Sequence, residues 1–423
     1  MPAVSSSDHA NRPKYLLQTI MDFSGPLILG VITAVLWANL DHAGYEAAMH
    51  WAPVGHINLH FLVNEIFMVL FFGIATKEIT EACLPGGALN PPSRAINPLF
   101  ATVGGVLGPV GVFFAYLWIT GDSAPANGWG IPTATDIALA WLVARVAFGK
   151  SHPAVSFLLL LAVADDGIGL GIIAIFYPDP AHPVEPMFLG LVLVGALGAW
   201  AMRKKDIQNF ALYLIGPGVL SWTGLFMAHL HPALALVVVV PFLPASASDQ
   251  GLFAELDAEH AHQDDPLNRF EHFFKGPVEI GLFFFGLANA GVGFSSMGTA
   301  TWAVLVALVV GKTLGIVAFG GLAHVLGFKL AEGMSFRSLF VAGLTAGLGL
   351  TVALFVAGVA YTDPALQGAA KMGALFSAGV APLVLIAAKF LRVRQEAGEP
   401  SLGDEIMDTL TGETERPDLD PGS

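Results

Sequence analysis

Two adjacent carboxylates, Asp165 and Asp166, stand inside the run LLLLAVADDGIGLGIIAIF, and no other charge falls among the 23 residues from Ala154 to Phe176. A bilayer crossing takes about 20 apolar residues, so this run reads as a membrane span with both aspartates near mid-depth. A charged aspartate at a helix centre costs roughly 2.5–3.5 kcal/mol on insertion scales, and a neighbouring pair needs a compensating role. Two carboxylates a few ångströms apart resist double ionisation, whereas a bound cation favours the doubly ionised form. Cation binding then expels protons and proton binding expels the cation, which is the chemistry of exchange. The bland alternative is a pair that stays protonated and only hydrogen-bonds to neighbouring helices.

Other polar residues lie at the same depth. Lys312 sits in the middle of ATWAVLVALVVGKTLGIVAFGGLAHVL with about twelve apolar or small residues on either side. It must face a polar interior, pair with a carboxylate or be neutral, and pairing is the reading adopted. Lys371 lies a turn or two inside the last span, from which it could snorkel outward. In GWGIPTATDIALA, Pro132 removes an amide donor while Thr133, Thr135 and Asp136 bring polar groups to membrane depth. Near TAGLGLTVALF, Gly343, Gly347 and Gly349 precede Thr351. Both stretches read as broken helices, whose facing ends expose partial charges that call for counter-charges. Asp136 and Lys312 are such counter-charges; an ordinary proline kink is the alternative at Pro132.

The elements that must position these groups are membrane helices. Of 423 residues, 55% are hydrophobic and 12% charged, with a mean hydropathy of +0.67. That composition describes a polytopic membrane protein. Twelve candidate spans start near Phe23, Leu59, Ile96, Gly128, Ala154, Pro186, Asn209, His229, Gly276, Ala300, Ser335 and Ala365. Spans seven and eight are nearly fused, so eleven is the alternative count. No window alternates with a two-residue period, which leaves an all-α protein. The first apolar run has no small-residue cleavage site after a short core and is taken as span one, with the amino terminus retained. The interrupted spans are the fourth, between three and five, and the eleventh, between ten and twelve, a placement that suggests an inverted repeat.

The division expected is a cytoplasmic segment over 1–22, a transmembrane domain over 23–394 and a disordered tail over 395–423. The tail carries nine acidic residues and one arginine, and a second acidic stretch runs from Asp249 to Asp265. Much of the net charge of −14 lies in these two places, with no basic patch that would suggest nucleic acid. Lys and Arg fall on alternate loops: Arg12 and Lys14, Lys77 and Arg94, Arg145 and Lys150, Arg203 to Lys205, Arg269 and Lys275, Lys329 and Arg337, then Lys389 to Arg394. The positive-inside rule places both termini in the cytoplasm. The lone Cys83 cannot form an internal disulfide.

The strings GWGIPTATDIALA, LLLLAVADDGIGLGIIAIFY, GLANAGV, VGKTLGI, GLGLTVALFVAG and the NE-to-TKE stretch of span two resemble the NhaA sodium/proton antiporter family, in family order over about 340 residues. The resemblance implies a bacterial inner-membrane transporter, not an enzyme. It would export Na⁺ or Li⁺ in exchange for protons, electrogenically, activated at alkaline pH and without a cofactor. It implies that Asp165 and Asp166 bind cation and proton, that Thr135 and Asp136 lie beside them at a helix crossing, and that Lys312 pairs with Asp165 in the unloaded state. Glu78, Glu271, His272 and His231 match residues associated with pH response. Span two departs from the family: Ile79 and Thr80 stand where two basic residues are usual, and Glu81 comes one position early. The expected partners are the bilayer and small cations, with a homodimer left open.

Two other readings remain at this point. A transporter of the same fold could carry a carboxylate or bile acid, which would need a larger cavity than the apolar surroundings suggest. Paired aspartates also serve intramembrane aspartyl proteases, but Asp165 and Asp166 are consecutive and project about 100° apart on one helix. Asp136 would have to supply the second carboxylate from another helix.

Overall fold

The computed structural model describes residues 25–52, 58–87, 89–90, 92–149, 152–179, 182–245 and 265–393. The expected cytoplasmic segment, the tail and nearly all of the acidic stretch before Asp265 lie outside the described residues. Among the described residues there are helices and turns and no strand. In chain order these are α1 (Gly25–Leu40), α2 (His42–His50), α3 (Leu59–Cys83), α4 (Pro92–Thr120), α5 (Ala124–Thr133), α6 (Ile137–Phe148) and α7 (Pro153–Phe176). There follow α8 (Pro186–Lys204), α9 (Phe210–Met227), α10 (Pro232–Phe242), α11 (Pro266–Asn289), α12 (Thr299–Val325), α13 (Phe336–Ala346), α14 (Thr351–Ala360) and α15 (Pro364–Leu391).

Seven of these are long and apolar enough to cross a membrane, and the bent pairs α5–α6 and α13–α14 bring the number to nine. The other three expected spans are helical but fall short of that test among the described residues. For α1, 16 residues are described. α10 is wound largely as 3₁₀ turns, which rise about 2.0 Å per residue rather than 1.5. α11 carries Arg269, Glu271, Lys275 and Glu279 along its 24 residues. Two expected boundaries also move. Span nine begins at Pro266, ten positions before Gly276, because Asp265 caps the helix through the Asn268 N–H at 2.9 Å and Leu267, Asn268, Phe270 and Glu271 of its first turns are buried. Span eight begins at Pro232, since His229 adopts a left-handed φ of 58° and ends the previous helix.

Membrane helices gain little from burying one another's apolar faces, so close approach depends on small residues. α4 and α12 meet through Gly104 and Gly108 against Gly311 and Gly315, two small-xxx-small pairs. A Cβ at Gly104 or Gly108 would strike the backbone of Gly315 or Gly311. α1 meets α11 in the same way, Gly30 lying on the Phe283 carbonyl. The α4–α12 contact positions the site directly, because Lys312 lies between Gly311 and Gly315 and its Cε comes within 3.9 Å of the Cβ position at Gly105.

Read as consecutive crossings, the helices alternate in direction and the loops with Lys and Arg share one end, here called the basic end. α5 enters from the opposite end and α13 from the basic end. The two bent pairs are thus each the middle of three consecutive spans and run in opposite directions, as the inverted repeat requires. Replacing Gly315 by Val should force α12 off α4, lowering the melting temperature of the detergent-purified protein and reducing exchange. Gly111→Ala serves as the control, since nothing lies within 4 Å of a Cβ there.

Candidate ion-binding site

The two bent pairs cross at their breaks. α5 ends at Thr133 and α6 begins at Ile137, a 56° bend; α13 ends at Ala346 and α14 begins at Thr351, a 48° bend. Pro132 is the penultimate residue of α5. The extended links between the half-helices touch: the Asp136 N–H donates to the Leu348 carbonyl at 2.7 Å. Gly347 and Gly349 have ordinary negative or undistinguished backbone angles and are needed for proximity. A Cβ on Gly347 would lie 2.8 Å from the Leu308 carbonyl oxygen, and one on Gly349 would lie 2.7 Å from the Leu308 side chain.

Four helix ends meet here, and each finds a partner of the appropriate sign. Asp136 accepts from the Leu139 N–H at 3.1 Å with Oδ1, capping α6. Its Oδ2 accepts from Thr351, from the amide at 3.2 Å and the hydroxyl at 2.5 Å, at the first residue of α14. One carboxylate therefore serves two helix amino termini, where a negative charge is favoured. At the carboxy end of α5, Lys312 Nζ donates to the Thr133 carbonyl at 2.6 Å. At the carboxy end of α13, the Thr135 hydroxyl lies 3.2 Å from the Ala346 carbonyl.

α7 passes beside this crossing and presents the aspartates to it. Asp165 is fully buried, and its Oδ2 accepts from Lys312 Nζ at 2.6 Å and from the Thr135 hydroxyl at 2.8 Å. Asp166 is also buried, at 7% exposure. The Oδ1 atoms of Asp165 and Asp166 are buried and make no hydrogen bond among the described residues. Two buried carboxylate oxygens without a donor are costly unless a proton or a cation satisfies them. Thr135, Asp136, Asp165, Asp166, Lys312 and Thr351 are thus brought together from five helices or their ends.

The residues matched to pH response divide. Lys77 is fully buried in α3 and is ringed by three carboxylates: Glu81 at 2.7 Å, Glu78 at 3.9 Å, and Glu271 in direct contact from α11. One ammonium can neutralise only one carboxylate, and here three share it. His272 is exposed on the other face of α11. His231 lies at the opposite end of the bundle, edge-on to Phe355 at 6.0 Å, and burial holds its pKa below the usual histidine range. Ile79, between Glu78 and Glu81, reaches within 3.5 Å of the Cβ position at Gly167, so the cluster packs against α7 next to Asp166.

Sequence reasoning missed Lys77 as the centre of this cluster, although the i,i+4 spacing of Lys77 and Glu81 was a usable signal. It also missed Tyr177, whose hydroxyl accepts from the Gly130 N–H and donates to the Asn127 carbonyl, both at 2.8 Å, fixing α5. Lys371 does not snorkel: it is 6% exposed and packs inward near Gly358. The pairing of Lys312 yields a direct expectation. Lys312→Leu leaves Asp165 and the end of α5 without their cation, and breaking a buried pair costs ~3–5 kcal/mol. Its melting temperature and its Na⁺ affinity should both fall, and Lys312→Arg should restore part of each. Wild-type melting and exchange in Lys312→Leu would contradict the pairing.

Comparisons with known proteins agree with this architecture. The family model described as Na⁺/H⁺ antiporter 1 matches residues 17–388. The Na(+)/H(+) antiporter NhaA of Geobacter metallireducens is 59% identical over 379 residues, which cover 90% of this chain and 98% of that protein. The protein of the same name from Geobacter sulfurreducens is 56% identical over 379 residues, with the same coverage. That of Jannaschia sp. is 42% identical over 421 residues, covering 89% of this chain and 98% of the relative. With the family model matched over residues 17–388 and identity of 59% over nine-tenths of its length, the chain belongs to the NhaA family of Na⁺/H⁺ antiporters.

Proposed function

We propose that Asp165 and Asp166 are the carboxylates through which this multi-pass transporter exchanges Na⁺ or Li⁺ for protons, in a bacterial inner membrane with both termini cytoplasmic. The observation that carries this reading is the pair of buried, adjacent carboxylates at the helix crossing, each with an oxygen that lacks a protein donor. Hard monovalent cations prefer oxygen ligands, and Thr135 and the carbonyls exposed at the breaks supply further oxygens beside the aspartates.

In the proton-loaded site, Lys312 holds Asp165 Oδ2 while Asp166 carries the proton. An arriving cation competes with Lys312 for Asp165 and with the proton for Asp166. Its charge favours the ionised form of Asp166, which releases one proton, and Lys312, displaced from Asp165 in a low-dielectric site, releases a second. Three titrating groups surround one monovalent ion, which supports an exchange that moves more protons than cations and is therefore electrogenic. Asp136 supports the transport reading over the protease one. It faces Thr351 and the amino termini of α6 and α14 rather than converging on Asp165, so it supplies no second catalytic carboxylate.

Asp165→Asn and Asp166→Asn should each insert, because an amide costs no more at mid-membrane than a carboxyl group, while Asp165→Asn leaves Lys312 unpaired and should also melt lower. Each should abolish the collapse of a pH gradient by Na⁺ or Li⁺ in everted vesicles; a normal collapse in either variant would refute the assignment.

Two equilibria should govern the response to pH. Protons and cation compete at the dyad, so apparent Na⁺ affinity should rise with pH until the pair is deprotonated. The Lys77 cluster is the second candidate source of pH dependence, because three carboxylates share one ammonium beside α7. Exchange measured across pH at saturating Na⁺ should keep a residual pH dependence that Glu78→Gln shifts and His272→Ala does not. If saturating Na⁺ removes the whole dependence, competition at Asp165 and Asp166 suffices and the cluster has no regulatory part.

A further inference from the structure

At the end of the bundle opposite Lys77, the chain leaves α7 past Tyr177, and α9 turns through His229 into α10. Backbone hydrogen bonds tie the two turns together: Asp179 N–H to the His229 carbonyl at 3.0 Å, and Glu185 N–H to the Ala228 carbonyl at 3.2 Å. On that frame, side chains from both turns converge. His182 Nδ1 lies 2.8 Å from Asp179 Oδ2, and the rings of His182 and His229 stack at 4.7 Å with 16° between their planes. A ligand atom from each of Asp179, His182 and His229 lies within 4.8 Å of the others. Glu185 Oε1 is 3.9 Å from His229 Nε2. His229 takes its left-handed φ of 58°, a conformation seldom adopted by non-glycine residues, in the turn that carries its ring to this point.

We propose that Asp179, His182 and His229, with Glu185 as a fourth donor, form a binding site for a borderline divalent cation of the Zn²⁺ class. Two imidazoles and two carboxylates are a donor set suited to such ions, whereas Na⁺, Mg²⁺ and Ca²⁺ favour oxygen alone. The transported ion and this one would therefore not compete for the same place. A tetrahedral site with bonds near 2.0 Å holds its donors about 3.3 Å apart. His182 and Glu185 are exposed, and rotation about their side-chain bonds can close the remaining gap. A simple surface ion pair accounts for Asp179 with His182. It does not account for a second imidazole laid on the first from another turn, with a further carboxylate behind it.

The position has a consequence for transport. Asp179 follows the end of α7, the helix that carries Asp165 and Asp166, while His229 stands two residues before the half-buried His231 and the start of α10. A bound ion would bridge these two turns through coordination bonds, restraining the end of α7 against α10 and so slowing exchange without touching the dyad.

The test uses the full-length protein purified without a polyhistidine tag. Calorimetric titration with Zn²⁺ should give one saturable site per chain, and Co²⁺ in its place should show the intense visible bands of a four-coordinate ion. His182→Gln and His229→Asn should each weaken Zn²⁺ binding by about tenfold or more. Asn tolerates the left-handed backbone, so His229→Asn should keep the turn intact, and both variants should retain Na⁺-driven exchange in the absence of Zn²⁺. Zn²⁺ affinity unchanged in both variants, no saturable binding to the wild type, or a six-coordinate Co²⁺ spectrum would each overturn the proposal.

Discussion

The structure depends on pairing charge with helix ends where no water is available to do it. Breaking two helices in the middle of a bilayer leaves four sets of backbone dipoles pointing at one another. Lys312 lies on the Thr133 carbonyl, and Asp136 spans the amino termini of α6 and α14. Without these two side chains the crossing would present unpaired backbone groups in a medium of low dielectric. Lys312 also holds Asp165, so the residue that stabilises the broken helix is the one that sets the charge state beside it. Stability and the proposed exchange chemistry are coupled through a single ammonium group.

Such a crossing can exist only if the surrounding helices approach closely. The glycines of α4 and α12 bring those backbones into contact, and Gly347 and Gly349 let the α13–α14 link pass against Leu308 and Ala134. The aromatic hydroxyls of Tyr177 and Tyr361 complete the frame by bonding to backbone groups of α5, Tyr361 to the Pro125 carbonyl at 2.7 Å. The polar site is therefore held by a shell whose precision comes from residues with little or no side chain and a few buried hydroxyls.

Two groups of titratable side chains lie outside the crossing, one at each end of the bundle. The Lys77 cluster joins α3 to α11 and reaches α7 through Ile79, while Asp179 and His182 follow the far end of α7. α7 thus lies between a buried ion-pair cluster on the proposed cytoplasmic side and a proposed metal site on the other. Its central aspartates are within reach of both through rigid helix alone.

The sequence by itself determined the helical class, the positions of the breaks and which polar residues lie at mid-membrane. Those features are local: a bilayer demands a run of about 20 apolar residues, and any charge, proline or glycine cluster within it stands out. Hence Asp165, Asp166, Lys312, Asp136 and the glycines before Thr351 were legible as a set. Tertiary structure decided which groups meet. Lys312 chose Asp165 rather than Asp166, and Thr351 supplied both its donors to Asp136. Lys77 became the centre of an acidic cluster rather than a loop charge, and Lys371 turned inward instead of out. Asp179 and His182 met His229 from a turn 47 residues further along. None of these outcomes follows from spacing, because helix periodicity fixes which residues share a face but not which other helix that face will meet. That depends on how closely the glycine-lined backbones pack.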